Sequence, residues 1–149
     1  MKKDLQYIVN HLPYKAPFLF VDELTQVDEN GASGHYTFSE DSEFYQGHFP
    51  DHPITPGVLL TECMAQIGLV SLGIFLLSSE EVEEQTSVAL SETNIEFLKG
   101  VNPGETVYVQ SEKIYFRFGK LKCKVRMTNA KDELVCKGII SGMVFQKKT

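Results

Sequence analysis

The stretch Gly47-His48-Phe49-Pro50-Asp51-His52-Pro53-Ile54-Thr55-Pro56-Gly57, with Glu62 and Gln66 just beyond it, holds the residues best suited to chemistry. Prolines at 50, 53 and 56 exclude helix and central strand and stiffen the segment, so a side chain on it is held in place. Histidine is the side chain that most readily exchanges a proton near neutrality. Gly57 is placed to open a helix, where unpaired backbone N–H groups and the helix dipole favour developing negative charge. A carbonyl oxygen set there finds an oxyanion site. Glu62 follows roughly 7.5 Å along the helix axis, and Gln66 lies one turn further on the same face. A carboxyl among apolar residues is costly to ionise, so its pKa rises toward that of a proton donor. A histidine, an N–H pair and a buried acid make one proton-transfer constellation.

Plainer roles stand beside these. On residue type alone His48 is open between a structural and a catalytic role. Glu62 favours function, because a structural carboxylate in an apolar helix needs a buried cation. His48, His52 and Glu62 could suggest a metal, but the prolines at 50 and 53 prevent the helical i, i+4 pairing that zinc enzymes use. His35 and His11 read as structural. Cys63 points about 100° around the helix from Glu62, which argues against a nucleophile.

The elements that must position this segment follow from periodicity. Leu5, Ile8, Val9 and Leu12 predict a short helix over 4–12, stopped by Pro13. Phe18-Leu19-Phe20-Val21 predicts a buried strand running to the Asp28-Glu29-Asn30-Gly31 turn, and 32–39 a second strand paired through that turn. Residues 57–78 are apolar nearly all round, which means a membrane span or a fully buried core helix. Glu62 and Gln66 lie inside it, and Glu80, Glu81, Glu83 and Glu84 follow it in place of cationic flanks, so a core helix is the reading. Four strands follow: 87–98, 106–116, 121–127 and 134–145. One long helix against an antiparallel sheet is an α+β arrangement. An all-round apolar helix also requires the sheet to curl around it, or a second subunit to cover it.

The chain has 149 residues and a formal net charge of −6, which suits one domain over 1–149 and argues against nucleic-acid binding. Cys63, Cys123 and Cys136 show no paired spacing, and no apolar run follows the N-terminal lysines. A reducing, cytoplasmic setting is expected.

G-H-F-P-x-x-P-x-x-P-G-V-L followed by E-x-M-A-Q resembles the signature of the FabZ-type (3R)-hydroxyacyl-[acyl-carrier-protein] dehydratases. L-P-Y-K-A-P-F-L-F-V-D-E and I-E-F-L-K-G-V-N-P-G-E resemble that family's opening and its strand-and-turn segment, so the likeness spans about residues 5–145. It implies a hot-dog fold, a curled antiparallel sheet wrapped around one long central helix. It also implies homodimers with shared active sites, in which His48 of one chain meets Glu62 of the other, and in many members three such dimers. The implied reaction removes water from a (3R)-3-hydroxyacyl thioester to give the trans-2-enoyl thioester. His48 takes the C2 proton, the Gly57 N–H holds the thioester oxygen, and Glu62, oriented by Gln66, serves the departing hydroxyl. Tyr45, Phe49, Thr55, Pro56, Val58 and Phe97 would line or gate the acyl site. The substrate arrives on the phosphopantetheine of an acyl carrier protein, with no metal or other cofactor.

Glu at 62, where the related FabA-type isomerase-dehydratases carry Asp, favours dehydration without isomerisation. Three departures stand out: Tyr14 replaces a usual His, Thr55 a usual bulky apolar residue, and Lys99-Gly100 a basic pair. An acidic carrier needs cations on this acidic protein, and Lys15, Lys99, Arg117 and Lys120 are the candidates. Two alternatives are a hot-dog acyl thioesterase and a catalytically idle hot-dog acyl-binding or scaffold subunit.

Overall fold

The computed structural model of the protein describes residues 4–78 and 86–146. The Asp4 carboxylate accepts the Tyr7 N–H at 2.7 Å and starts helix α1 (Leu5–Asn10), shorter at both ends than the expected 4–12. The predicted strand over 18–21 does not form. Instead the Gln66 side chain takes both backbone groups a strand neighbour would use: Phe20 N–H donates to its Oε1 at 2.7 Å, and its Nε2 donates to Phe18 O at 3.0 Å. The chain enters the sheet only at β1 (Glu23–Asp28) and turns back as β2 (Gly31–Thr37). At that turn the Asp28 carboxylate accepts the N–H groups of Asn30 and Gly31.

The central helix α2 runs Gly57–Ser78. Its most apolar 18-residue window is 78 % buried within the fold, which makes it a core helix. The acidic run Glu80, Glu81, Glu83 and Glu84 lies outside the described residues. Within α2 the stretch Ala65–Val70 is π-helical, and two hydroxyls take up its carbonyls. Ser71 Oγ donates to Gln66 O and Ser111 Oγ to Gly68 O, each at 2.7 Å. Gly73 lets the helix lie flat on the sheet: a Cβ there would stand 2.6 Å from Val88 Cγ2.

The remaining strands are β3 (Thr86–Phe97), β4 (Thr106–Arg117), β5 (Lys120–Asn129) and β6 (Leu134–Gln146). All pairs are antiparallel, in the order β1-β2-β4-β5-β6-β3. Register breaks in β1, β3 and β4 add local twist, so the sheet curls around α2. Ile67, Leu69 and Leu72 of the helix and Val109, Leu121 and Ile140 of the sheet are fully buried in one core. This is the hot-dog arrangement. It leaves β3, twelve residues long, as an edge strand.

Candidate active site

The proline-rich loop is built as a set of cross-ties. After a 3-10 turn (Glu43–Gln46), the N–H groups of Gly47 and His48 both donate to Phe44 O, at 3.2 and 3.0 Å. Ile54 N–H donates to His48 O at 3.0 Å, and the His48 ring returns a bond from Nδ1 to Ile54 O at 2.9 Å. A carbonyl only accepts, so Nδ1 carries a proton, and in the neutral ring Nε2 keeps its lone pair. That is the tautomer a general base requires. Phe49 stacks on the imidazole, centroids 4.2 Å apart. The His48–Phe49 peptide is cis. Thr55 N–H reaches Val101 O at 2.9 Å and ties the loop to the segment after β3.

Gly57 opens α2 behind Pro56, which supplies no side-chain cap. Leu59 and Leu60 N–H donate to Pro56 O at 3.0 and 3.2 Å, which leaves the Gly57 and Val58 N–H groups available to a ligand oxygen. The Phe97 ring lies across this helix start, with Cε1 3.2 Å from where a Cβ on residue 57 would sit. Phe49, Val58 and Phe97 are 54 %, 77 % and 48 % exposed, an uncovered apolar rim around the loop and helix start. Tyr45 and Thr55, expected on the acyl site, are buried within the protomer, where Tyr45 Oη and Thr55 Oγ1 bond to each other at 2.6 Å. Pro56 is buried too.

Glu62 is half-buried, and Gln66 Nε2 donates to its Oε2 at 2.9 Å. The same amide is locked by Phe18 O and Phe20 N–H, so the glutamine presents the carboxyl from a fixed mount. Loss of hydration raises the Glu62 pKa above its ordinary 4.5, and the Gln66 bond opposes this only in part. Tyr14 shares the neighbourhood: burial first, and the Glu62 charge second, push its pKa to about 12. A carboxyl with a raised folded pKa destabilises the fold when ionised. Stability therefore rises as pH falls through that pKa toward the unfolded value. Glu62→Gln should melt above the parent at pH 8, with the gain fading below about pH 4.5. Equal melting temperatures at every pH would show that the carboxyl is not desolvated.

Among the described residues, no hydrogen bond or ion pair joins His48 to Glu62 within one chain. Among the described residues, no three His, Cys, Asp or Glu side chains cluster in a way that could hold a metal ion. The three cysteines are free and buried, with Cys63 donating to Phe20 O. His35 pairs with Glu23 at 3.0 Å, and His11 Nδ1 donates to Tyr7 O at 2.8 Å while its ring stacks on that of Tyr7.

The candidate cations do not converge. Lys15 is exposed on the α1–β1 connection, and Lys99 bonds Glu133 at 3.5 Å beside the start of β6. Lys120 bonds Glu92 at 3.8 Å, in register with Arg117 across the β4–β5 hairpin. Lys99 N–H bonds Val135 O and Lys120 pairs with Met143, so the two ends lie about 27 Å apart along β6. Sequence reasoning missed Lys122, which joins Arg117 over the Tyr115 ring at 5.8 and 4.4 Å from the centroid. It also missed the Ile54 carbonyl, which as a backbone group leaves no mark in residue type.

The FabA-like domain model matches residues 12–139. The FabZ 3-hydroxyacyl-[acyl-carrier-protein] dehydratase of Bacillus licheniformis is 35 % identical over 146 residues, 97 % of this chain and 98 % of that protein. This chain is a FabZ-type member of the FabA-like family. The Bacillus subtilis FabZ dehydratase is 34 % identical over 143 residues, 87 % of this chain and 99 % of its own. Among solved structures, a Haemophilus influenzae thioesterase superposes at TM-score 0.70 with 14 % identity, covering 98 % of this chain and 93 % of its own. A mutant Pseudomonas aeruginosa thioesterase gives 0.68 at 14 % identity, covering 99 % and 97 %. At such identity the likeness concerns the fold alone: FabZ-type sequence is written on a scaffold that thioesterases share.

Proposed function

We propose that this protein dehydrates (3R)-3-hydroxyacyl groups carried on an acyl carrier protein to trans-2-enoyl groups, in fatty-acid or related acyl-chain biosynthesis. The observation that carries the reading is the pairing of opposite proton roles. His48 is held with a free Nε2 lone pair, and Glu62 is held by Gln66 where its protonated form is favoured. Nε2 takes the C2 proton while first-turn N–H groups of α2 receive charge building on the thioester oxygen. The C2–H electrons form the C2–C3 double bond. The C3–O bond breaks with its electrons on oxygen, and the Glu62 proton converts the departing hydroxyl to water. The acyl group arrives on phosphopantetheine, so these steps need no metal, nucleotide or redox cofactor.

The working unit is a homodimer with two shared sites. His48 and Glu62 do not meet within one chain, and β3 offers a long unpaired edge beside exposed Leu90, Phe97, Leu98, Phe49 and Val58. Such an edge is a template for a second chain, and a two-fold pairing through β3 brings His48 of one protomer toward Glu62 of its partner. Three such dimers form the larger assembly, and free buried cysteines suit a cytoplasmic setting.

Purified protein should hydrate a crotonyl thioester, with loss of enone absorbance and no free thiol. Thiol release with the enone intact would establish a thioesterase instead. Carrier docking is assigned to the β4–β5 hairpin, where Arg117 and Lys122 stand over the Tyr115 ring, Lys120 is in register with Arg117, and Phe118 is 95 % exposed at the tip. Arg117→Glu with Lys122→Glu should raise KM for carrier-borne substrate about tenfold, less at high salt, and leave a pantetheine thioester unaffected. Equal change for both substrates would place docking elsewhere.

A further inference from the structure

We propose that the buried Tyr45–Thr55 hydroxyl pair is a positioning device that selects the catalytic tautomer of His48; the proposal rests on the dehydratase reading only for its kinetic consequence. The Ile54 carbonyl that accepts from His48 Nδ1 and the Thr55 N–H belong to one peptide unit, which is trans. In a planar trans unit the two groups point in opposite directions, so fixing one aims the other. Thr55 N–H is fixed on Val101 O at 2.9 Å. The Thr55 side chain is fixed by Tyr45 at 2.6 Å. Tyr45 sits in the 3-10 turn whose Phe44 carbonyl also receives His48 N–H. The hydroxyl pair thus bolts together the two chain segments that hold His48, one on each side of the imidazole.

Both residues are 4 % exposed, which leaves no surface for an acyl chain within the protomer. Neither hydroxyl has another side-chain partner among the described residues, so each satisfies the other. Without the pair this peptide unit is held by the Thr55 N–H bond to Val101 O alone, and the Ile54 carbonyl can shift from Nδ1. The imidazole then redistributes its proton toward Nε2, the nitrogen that must stay bare to abstract the C2 proton. Tyr45 and Thr55 act through His48 and do not touch substrate.

Tyr45→Phe, Thr55→Val, the double variant and Thr55→Ser test this, using crotonyl thioester kinetics and nitrogen-15 NMR of histidine-labelled protein. His48→Ala identifies the His48 signal by its disappearance. The parent should show His48 protonated on Nδ1 and bare on Nε2. Tyr45→Phe and Thr55→Val should each lower kcat about 5- to 20-fold with KM within about 2-fold, and move His48 toward a mixture of tautomers. The double variant should lose no more than the worse single one, because one interaction is removed in each case. Thr55→Ser keeps the hydroxyl and should restore both readouts. An unchanged His48 signal in the folded variants, or a raised KM at constant kcat, would overturn the proposal; the second outcome would make these residues part of the acyl site. A parent that does not hydrate the enone would defeat the dehydratase reading alone, and the NMR comparison would still decide the positioning role.

Discussion

His48→Ala should lower crotonyl thioester hydration by about 10³-fold, within the range general acid–base groups contribute, while the protein stays folded. The size follows from geometry: His48 Nε2 is the one ring nitrogen on the proline-rich loop presented by a tautomer-fixing bond. Fold retention follows from what is lost, a single side-chain bond from a half-buried ring, worth about 1 kcal/mol. The loop keeps its backbone ties at Phe44, Ile54 and Val101. His52 is the control. It is exposed, and its ties to Phe49 run through its backbone N–H and carbonyl. His52→Ala should therefore stay within about 2-fold of the parent. A loss under about tenfold for His48→Ala would favour an idle acyl-binding subunit, and loss at His52 would move the base.

Glu62→Gln should cost about 10²- to 10³-fold through a different defect. A glutamine at 62 keeps an oxygen for Gln66 Nε2, so the mount survives, but its amide cannot release a proton to the departing hydroxyl. Binding should persist with KM little changed, because the lost interaction belongs to the transition state. The raised pKa of Glu62 also sets the pH response. In the dehydration direction the rate should fall on the alkaline side as the carboxyl ionises, and that limb should vanish in Glu62→Gln. A variant with parental turnover would remove Glu62 from the chemistry.

Much of this site is legible in the residues because its parts obey strong local rules. Three prolines within seven residues stiffen a loop whatever surrounds it, and a run from 57 to 78 that is apolar nearly all round reads as a core or membrane helix. Glu62 and Gln66 meet at helical spacing, and the structure joins them directly. Misreadings arise where a distant partner overrides local pattern. Phe18–Val21 has the composition of a strand, yet Gln66, 48 positions beyond Phe18, captures its backbone. Tyr45 and Thr55 are pinned by each other, and no rule of spacing links two hydroxyls ten positions apart with two prolines between them. Counting cations is blind to their partners: Lys99 and Lys120 each stand beside an acid supplied by another strand or turn, while Lys122 lies over a cross-strand tyrosine.

The central claim is that each working site is completed by two chains, with His48 from one and Glu62 from the other. It is tested by mixing equal amounts of the His48→Ala and Glu62→Gln proteins after unfolding and refolding them together. Random pairing in a two-fold dimer makes half of the dimers mixed. Each mixed dimer has one doubly defective site and one site with both native residues. Activity should return to about a quarter of the parent, far above either variant alone. Activity no greater than the average of the two separate variants, in a sample shown to contain mixed dimers, would contradict the shared site.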